Sequence, residues 1–175
     1  MIIAVDPGDK GGIAKFTSDG SFSLSDMPLY QRGTKKVKRG IVPKYDVDRE
    51  ALAEIFRTYK SVLINCGYVV IERQQAFPRQ GVASTAKTML NYAFMYGAAH
   101  GMNIPVITVL PRVWKRHFKL LGCDKKASIK LASELSGQKI KKDGQADAYL
   151  IGRWAIATYG DKVSADIVSK CIKSA

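Results

Sequence analysis

The chain is short of cysteine, histidine and acid, and each shortage closes off a class of function. Its three cysteines, Cys66, Cys123 and Cys171, stand far apart with no CxxC pair, and its two histidines are His100 and His117. Neither a disulfide framework nor a zinc site can be built from that set, and lone thiols suit a reducing compartment. No apolar run approaches the length of a membrane span, and MIIAVDPG turns polar too soon for a signal peptide. The expectation is a cytoplasmic protein with no membrane partner, in the cytosol of its own or of a host cell. No internal repeat or low-complexity segment stands out.

Acid is the third shortage. Fifteen Asp and Glu face 28 Lys and Arg, a formal charge of +13, which favours a polyanionic partner because clustered cations release counterions on meeting a phosphate backbone. An anionic membrane would attract such a chain too, but no basic amphipathic helix with a wide apolar face occurs. Nucleic acid is the better reading. At 175 residues, 46% of them hydrophobic and 25% charged, the composition is that of a globular protein, expected to form one domain over residues 1–175.

The apolar runs punctuate the chain into elements. IIAV ends at Asp-Pro-Gly, IAKFT ends at Ser-Asp-Gly, and SFSLSDM follows, so three short strands in a meander are predicted. Residues 29–44, with Arg32, Lys35, Lys36, Lys38, Arg39 and Lys44 around two glycines, read as a flexible basic loop. Asp46 or Asp48 can cap a helix running to about Lys60, with Val47, Leu52, Ile55 and Phe56 on one face. GYVVIE is a fourth strand. Residues 84–100 form an apolar helix with Met89, Leu90, Ala93 and Tyr96 on its buried side, and IPVITVLP is a fifth strand. Short helices over 111–120 and 124–137 come next, with Asp124 a possible cap and Gly137 the stop. The last helix spans 143–159, with Ala146, Tyr149, Leu150, Trp154 and Ala157 facing the core. This order predicts an α/β protein with a mixed sheet and helices packed on it.

Against that background four acids stand at element ends: Asp6, Glu72, Asp143 and Asp147. Asp6 closes a buried strand at a rigid turn, which suits a metal ligand, although Asp-Pro-Gly is also ordinary turn chemistry. Glu72 ends the run Tyr68-Val69-Val70-Ile71, where an unpartnered carboxylate is costly; Arg73 points to the other face of a strand and is a poor partner. Asp143 and Asp147 share one face of a helical turn and repel each other. Helix capping explains Asp143 but explains the pair badly. Carboxylates so placed in a basic chain are suited to hold two Mg²⁺ ions against a phosphate, and the hard oxygen donors agree with the missing Cys/His cluster.

The segments DPGDKGG at Asp6, VVIERQQAFPRQGVAS, TVLPRVWKRHFKL and KKDGQADAYLIGRWA resemble, in this order, the RuvC-like Holliday junction resolvases of the RNase H superfamily, and look closer to the phage and organellar type. The resemblance implies an RNase H-like five-stranded sheet, three antiparallel strands and then parallel ones, flanked by helices. It implies a homodimer that nicks opposed strands of four-way DNA junctions, leaving 5′ phosphates, with Mg²⁺ or Mn²⁺ and no small-molecule cofactor, in a bacterial cytosol or the host cell of a phage. Asp6, Glu72, Asp143 and Asp147 would be the ligands, and Lys115 or Lys126 the catalytic or phosphate-binding lysine. Phe77, Arg79 and Gln80 lie in the loop with which resolvases enter the junction, so Phe77 would stack on an opened base pair. Arg73 and the basic residues of 31–44 would contact DNA.

Two rivals share parts of the pattern. A YqgF-type nuclease of the same superfamily, acting on structured RNA or on branched DNA more broadly, also starts with an Asp-x-Gly turn. A sugar-kinase-like phosphotransferase would use DPGDKGG as a phosphate turn, but no second such turn follows.

Overall fold

The structure, a computed structural model, describes residues 1–76 and 81–160. In chain order it forms β1 (Ile2–Asp6), β2 (Gly12–Phe16), β3 (Phe22–Asp26), β4 (Leu29–Val37), β5 (Gly40–Val47), α1 (Arg49–Cys66), β6 (Tyr68–Glu72), α2 (Val82–Gly101), β7 (Val106–Val109), α3 (Pro111–His117), α4 (Lys125–Ser136) and α5 (Asp143–Tyr159). The main sheet has the order β3-β2-β1-β6-β7. β1, β2 and β3 are antiparallel, whereas β6 and β7 run parallel to β1. This is the mixed five-stranded α/β sheet that the order of apolar runs predicts.

Alternation along the strands sorts the core into two layers. Ile2, Ala4, Ala14, Phe16, Tyr68, Val70 and Ile107 face α5 together with Trp114 of α3 and Ala132 of α4. Ile3, Val5, Ile13, Val69, Ile71 and Val106 face Leu52 and Phe56 of α1 and Met95 of α2. All five residues of β6 are buried, as a central parallel strand covered on both faces requires. Burying a Val, Leu or Ile contributes about 1.5–3 kcal/mol, so the strand that carries Glu72 is firmly seated.

Helix ends follow their caps. Asp48, not Asp46, caps α1, its Oδ1 accepting from the Ala51 amide at 3.0 Å, and the helix runs past Lys60 to Cys66. Asp124 caps α4 through the Ala127 amide at 3.0 Å, and Gly137 ends it with φ +68°.

Three expectations need correction. Residues 29–44 are no loop: β4 and β5 form an antiparallel hairpin turning at Lys38-Arg39, where Val37 pairs with Gly40 at φ +129°. Its strands are exposed nearly throughout, and their apolar residues, Leu29, Tyr30, Val37, Ile41 and Tyr45 among them, do not alternate regularly with polar ones, so no periodicity betrays them. In α2 the buried positions are Asn91, Met95 and Ala99, while Leu90 is 55% exposed and Met89 and Ala93 also face outward. Alanine all around that helix leaves the pattern without a phase. In α5, Ala157 is exposed, the rest of the predicted stripe being buried.

Candidate active site

Strand parity brings the first two acids together. Asp6 continues the Ile2, Ala4 face of β1, and Glu72 continues the Tyr68, Val70 face of β6, both toward α5. The parallel register runs from Ile2 opposite Tyr68 to Val5 opposite Ile71, so the two carboxylates leave the carboxyl ends of neighbouring strands side by side. Open α/β sheets bind their ligands at such strand ends.

α5 brings the other two because its first turn lies almost on the backbone of the β1–β2 turn. Gly11 and Gly144 form an isolated parallel bridge. A methyl group on Gly144 would sit 2.0 Å from the Lys10 carbonyl oxygen, and one on Gly12 would sit 2.6 Å from that of Gly144. Gly12 of DPGDKGG and Gly144 of DGQAD are thus required by this close approach, and Gly11 by the tight turn itself, where a methyl would sit 2.0 Å from the Asp6 carbonyl oxygen. Further along, Gly152 leaves room for the ring of Phe16. The end of β3 pins the same turn of α5: Asp26 accepts from Gln145 Nε2 at 2.8 Å and pairs with Lys142. Asp143 does not cap α5; Lys142 holds that place and Asp143 is in the first turn.

The four acids differ in environment. Asp6 Oδ1 accepts from the Gly8 amide at 3.2 Å. Burial, and after it the charge of Glu72, push its carboxyl up to about 7, with Asp147 and Asp143 adding to the rise and the Gly8 bond opposing it. Glu72 accepts from Trp114 Nε1 at 2.9 Å and from Gln74 Nε2 at 3.1 Å. Burial still holds it above the usual carboxylate range, opposed by the Trp114 bond and then reinforced by Asp147. Asp147 is raised by burial, against the nearby Lys115 and the Ser128 hydroxyl. Its Oδ1 is buried with no hydrogen-bond partner among the described residues. Asp143 alone is lowered, because Lys125 is bonded to its Oδ2.

Of the two predicted lysines, Lys115 stands beside this group, its charge acting on Glu72 and Asp147 while its Nζ lies 5.2 Å from the centre of the Trp114 ring. Lys126 is exposed, and its neighbour Lys125 is the lysine that meets Asp143. Helical spacing puts Lys125 on one face with Ser128 and Ala132, but only packing shows that these are the buried positions of α4. Trp114, Ser128 and Gly144 were likewise missed, although Trp114 and Gly144 stand inside the motifs. Arg73 follows Glu72 at the end of β6 and is half-buried, its charge reaching Tyr92 of α2. Arg32, Lys35, Lys36, Lys38 and Arg39 lie on the β4–β5 hairpin and its turn. Phe77, Arg79 and Gln80 fall outside the described residues.

The donor set fits a hard divalent cation in kind. It consists of carboxylate oxygens, one of them a buried orphan, in a group whose burial and mutual repulsion favour an added positive charge. Among the described residues no three Asp, Glu, His or Cys side chains are already gathered into a cation cage. Lys125 meanwhile neutralises the most open acid. Among the described residues no helix is long and apolar enough to cross a membrane.

No protein-family model matches the chain, and no curated protein matches it in sequence. Solved structures do. Thermus thermophilus RuvC is similar over 93% of this chain and 98% of its own, with a TM-score of 0.50 and 14% identity. T. thermophilus RuvC in complex with Holliday junction substrate is similar over 92% of this chain and 98% of its own, with a TM-score of 0.52 and 16% identity. At these identities the likeness is one of fold, the RNase H-like arrangement of three antiparallel and two parallel strands with flanking helices.

Proposed function

We propose that this chain is a divalent-cation-dependent endonuclease that nicks opposed strands of four-way or branched DNA, a Holliday junction resolvase serving recombination or phage DNA processing. The observation that carries the reading is the group of carboxylates at one sheet end, Glu72 buried, Asp6 and Asp147 half-buried and all three raised by desolvation, with Asp143 beside them, in a chain of net charge +13. Acids kept at that cost to stability have a use for their charge. The RNase H-like fold and a structural neighbour in complex with Holliday junction substrate support the choice of DNA.

Asp6, Glu72, Asp143 and Asp147 would hold the cations, Mg²⁺ or Mn²⁺. Held there, such ions would supply Lewis-acid activation of a water and charge neutralisation at the scissile phosphate and the leaving 3′ oxygen, chemistry that would leave 5′ phosphates. The protein's own part is to hold the acids still. Trp114 and Gln74 fix the Glu72 carboxylate, the Gly8 amide fixes that of Asp6, and the Gly11–Gly144 contact sets where α5 begins. Lys115 and Lys125 supply positive charge at the rim, where the scissile phosphate must approach.

Cutting two opposed strands together calls for two active sites. On the outer face of α2, Val82, Ala86, Leu90, Ala93 and Gly97 are exposed and uncharged at helical spacing, and a second copy of the chain is the partner proposed for it. Nicking of a four-way junction, a plain duplex and a structured RNA, each with and without Mg²⁺, tests the reading. Mg²⁺-dependent cutting of the junction is expected, lost in Asp6→Asn and Asp147→Asn while junction binding persists. Cutting by both variants would sink the site assignment; equal cutting of all three substrates would point to a less selective nuclease of branched DNA or structured RNA.

A further inference from the structure

The β4–β5 hairpin adds a surface that the carboxylate group does not explain. An isolated two-stranded hairpin is marginal in water, yet this one is pinned at its base. Asp46 of β5 accepts from Lys87 of α2 at 2.6 Å and from Arg32 of β4 at 3.0 Å. The Lys87 Nζ also reaches Asp9, in the loop just beyond Asp6, at 2.5 Å, and the Tyr45 carbonyl at 2.8 Å. Asp9 is held a second time by Asn91 at 3.2 Å, which is itself bonded to Arg49 of α1. The hairpin is therefore fixed against the loop that carries Asp6.

Between hairpin and loop runs an open groove. One part, of about 450 Å³, is lined by Lys10, Lys35, Lys44 and Tyr45. The other, of about 320 Å³, shares Asp9, Lys10 and Leu29 with it and ends at Lys142 and Asp143. Every acid along this course has a cationic partner: Asp9 and Asp46 have Lys87, Asp26 has Lys142, and Asp143 has Lys125. Lys10, Lys35 and Lys44 have no ion pair among the described residues. Cross-strand pairing puts Lys35, opposite Val42, and Lys44, opposite Gly33, on one face of the hairpin, and Lys36, opposite Ile41, on the other.

We infer that this groove is a track for the sugar-phosphate backbone of a duplex DNA arm, with the hairpin as its fixed outer wall and Lys10, Lys35 and Lys44 as phosphate contacts leading toward Asp143. The direction of the track rests on the nuclease reading above; the binding surface itself does not. It sorts the hairpin cations: Lys35 and Lys44 face the groove, whereas Lys36 and Lys38 add charge elsewhere. The groove also limits how an arm can lie relative to the acids, because its wall cannot swing while Lys87 joins Asp46 to Asp9.

The test compares two variants of equal charge, K35A/K44A and K36A/K38A, in binding a four-way junction and a plain duplex over a range of salt. All four side chains are exposed, so folding is not at risk. Loss of two phosphate contacts should weaken binding by K35A/K44A roughly ten-fold and lower the slope of log K against log salt by about 2, with little change in K36A/K38A. Equal effects of the two variants, or no effect of either, would overturn the track, as would a wild-type protein that binds no DNA. Mg²⁺-dependent nicking by the wild type is scored separately. A wild type that binds through Lys35 and Lys44 yet never nicks would end the nuclease reading and leave the track standing.

Discussion

Gly11 and Gly144 pair backbone to backbone, so the turn that carries Asp6 and the helix that carries Asp143 and Asp147 are set by one contact. Each carboxylate reaches the sheet end through its own element, and this close backbone approach helps to set the distance between the elements. A methyl at Gly144 would lie 2.0 Å from the Lys10 carbonyl oxygen and 2.5 Å from the Gly11 carbonyl carbon, and backbone cannot give way as a side chain does.

Gly144→Ala is therefore expected to push the start of α5 outward and to cost about 1–3 kcal/mol of stability, the range of an overpacked core. Nicking should fall much further than stability does, because misplacement of about 1 Å at a reacting group costs on the order of a hundred-fold. Melting temperature and nicking rate, measured on one preparation, check it. A variant that cuts at the wild-type rate would show that the contact does not position the acids.

The lysines give a second expectation. Lys125 is bonded to Asp143 and holds its carboxyl below the usual range, whereas Lys126 is exposed one residue on. Lys125→Ala should slow nicking at saturating Mg²⁺ while Lys126→Ala leaves it unchanged. Removing Lys125 also frees Asp143, so Mg²⁺ should bind Lys125→Ala no more weakly than the wild type; weaker Mg²⁺ binding would mean that the lysine supports the site in another way. Single-turnover rates across a Mg²⁺ titration separate the two effects.

Much of this site could be read from sequence because its parts are local. A strand that ends in Asp-Pro-Gly or in Glu shows both its direction and its last residue, and Asp143 and Asp147 share a helix face by spacing alone. What could not be read depends on packing between elements. Lys125 differs from Lys126 only through the rotation of α4, which Ser128 and Ala132 set by burial. Trp114 meets Glu72 across two core elements. The hairpin escaped notice for another reason: a strand exposed on both faces has no apolar alternation, and Gly33, Gly40 and Pro43 mimic loop composition.

The cost of the buried acids is itself measurable. With no metal bound, the carboxyl of Asp6 titrates near 7 in the folded protein, against 3.8 as the ordinary value. Between those values the folded state holds a proton that the unfolded state lacks, so stability is greatest below the ordinary value and falls as pH rises toward 7. Glu72 and Asp147, also raised by burial, act in the same sense. Asp6→Asn removes one charge from the group and should melt a few degrees above the wild type at about pH 8 without metal, with a smaller gap at about pH 5 and none below the ordinary value; in a chain of this length about 1 kcal/mol corresponds to 2–4 °C. Mg²⁺ at the higher pH should raise the melting temperature of the wild type more than that of Asp6→Asn, since a ligand stabilises only the state that binds it. Parallel melting curves for the two proteins across pH, with and without Mg²⁺, would mean that Asp6 carries no strain and that its carboxylate is idle.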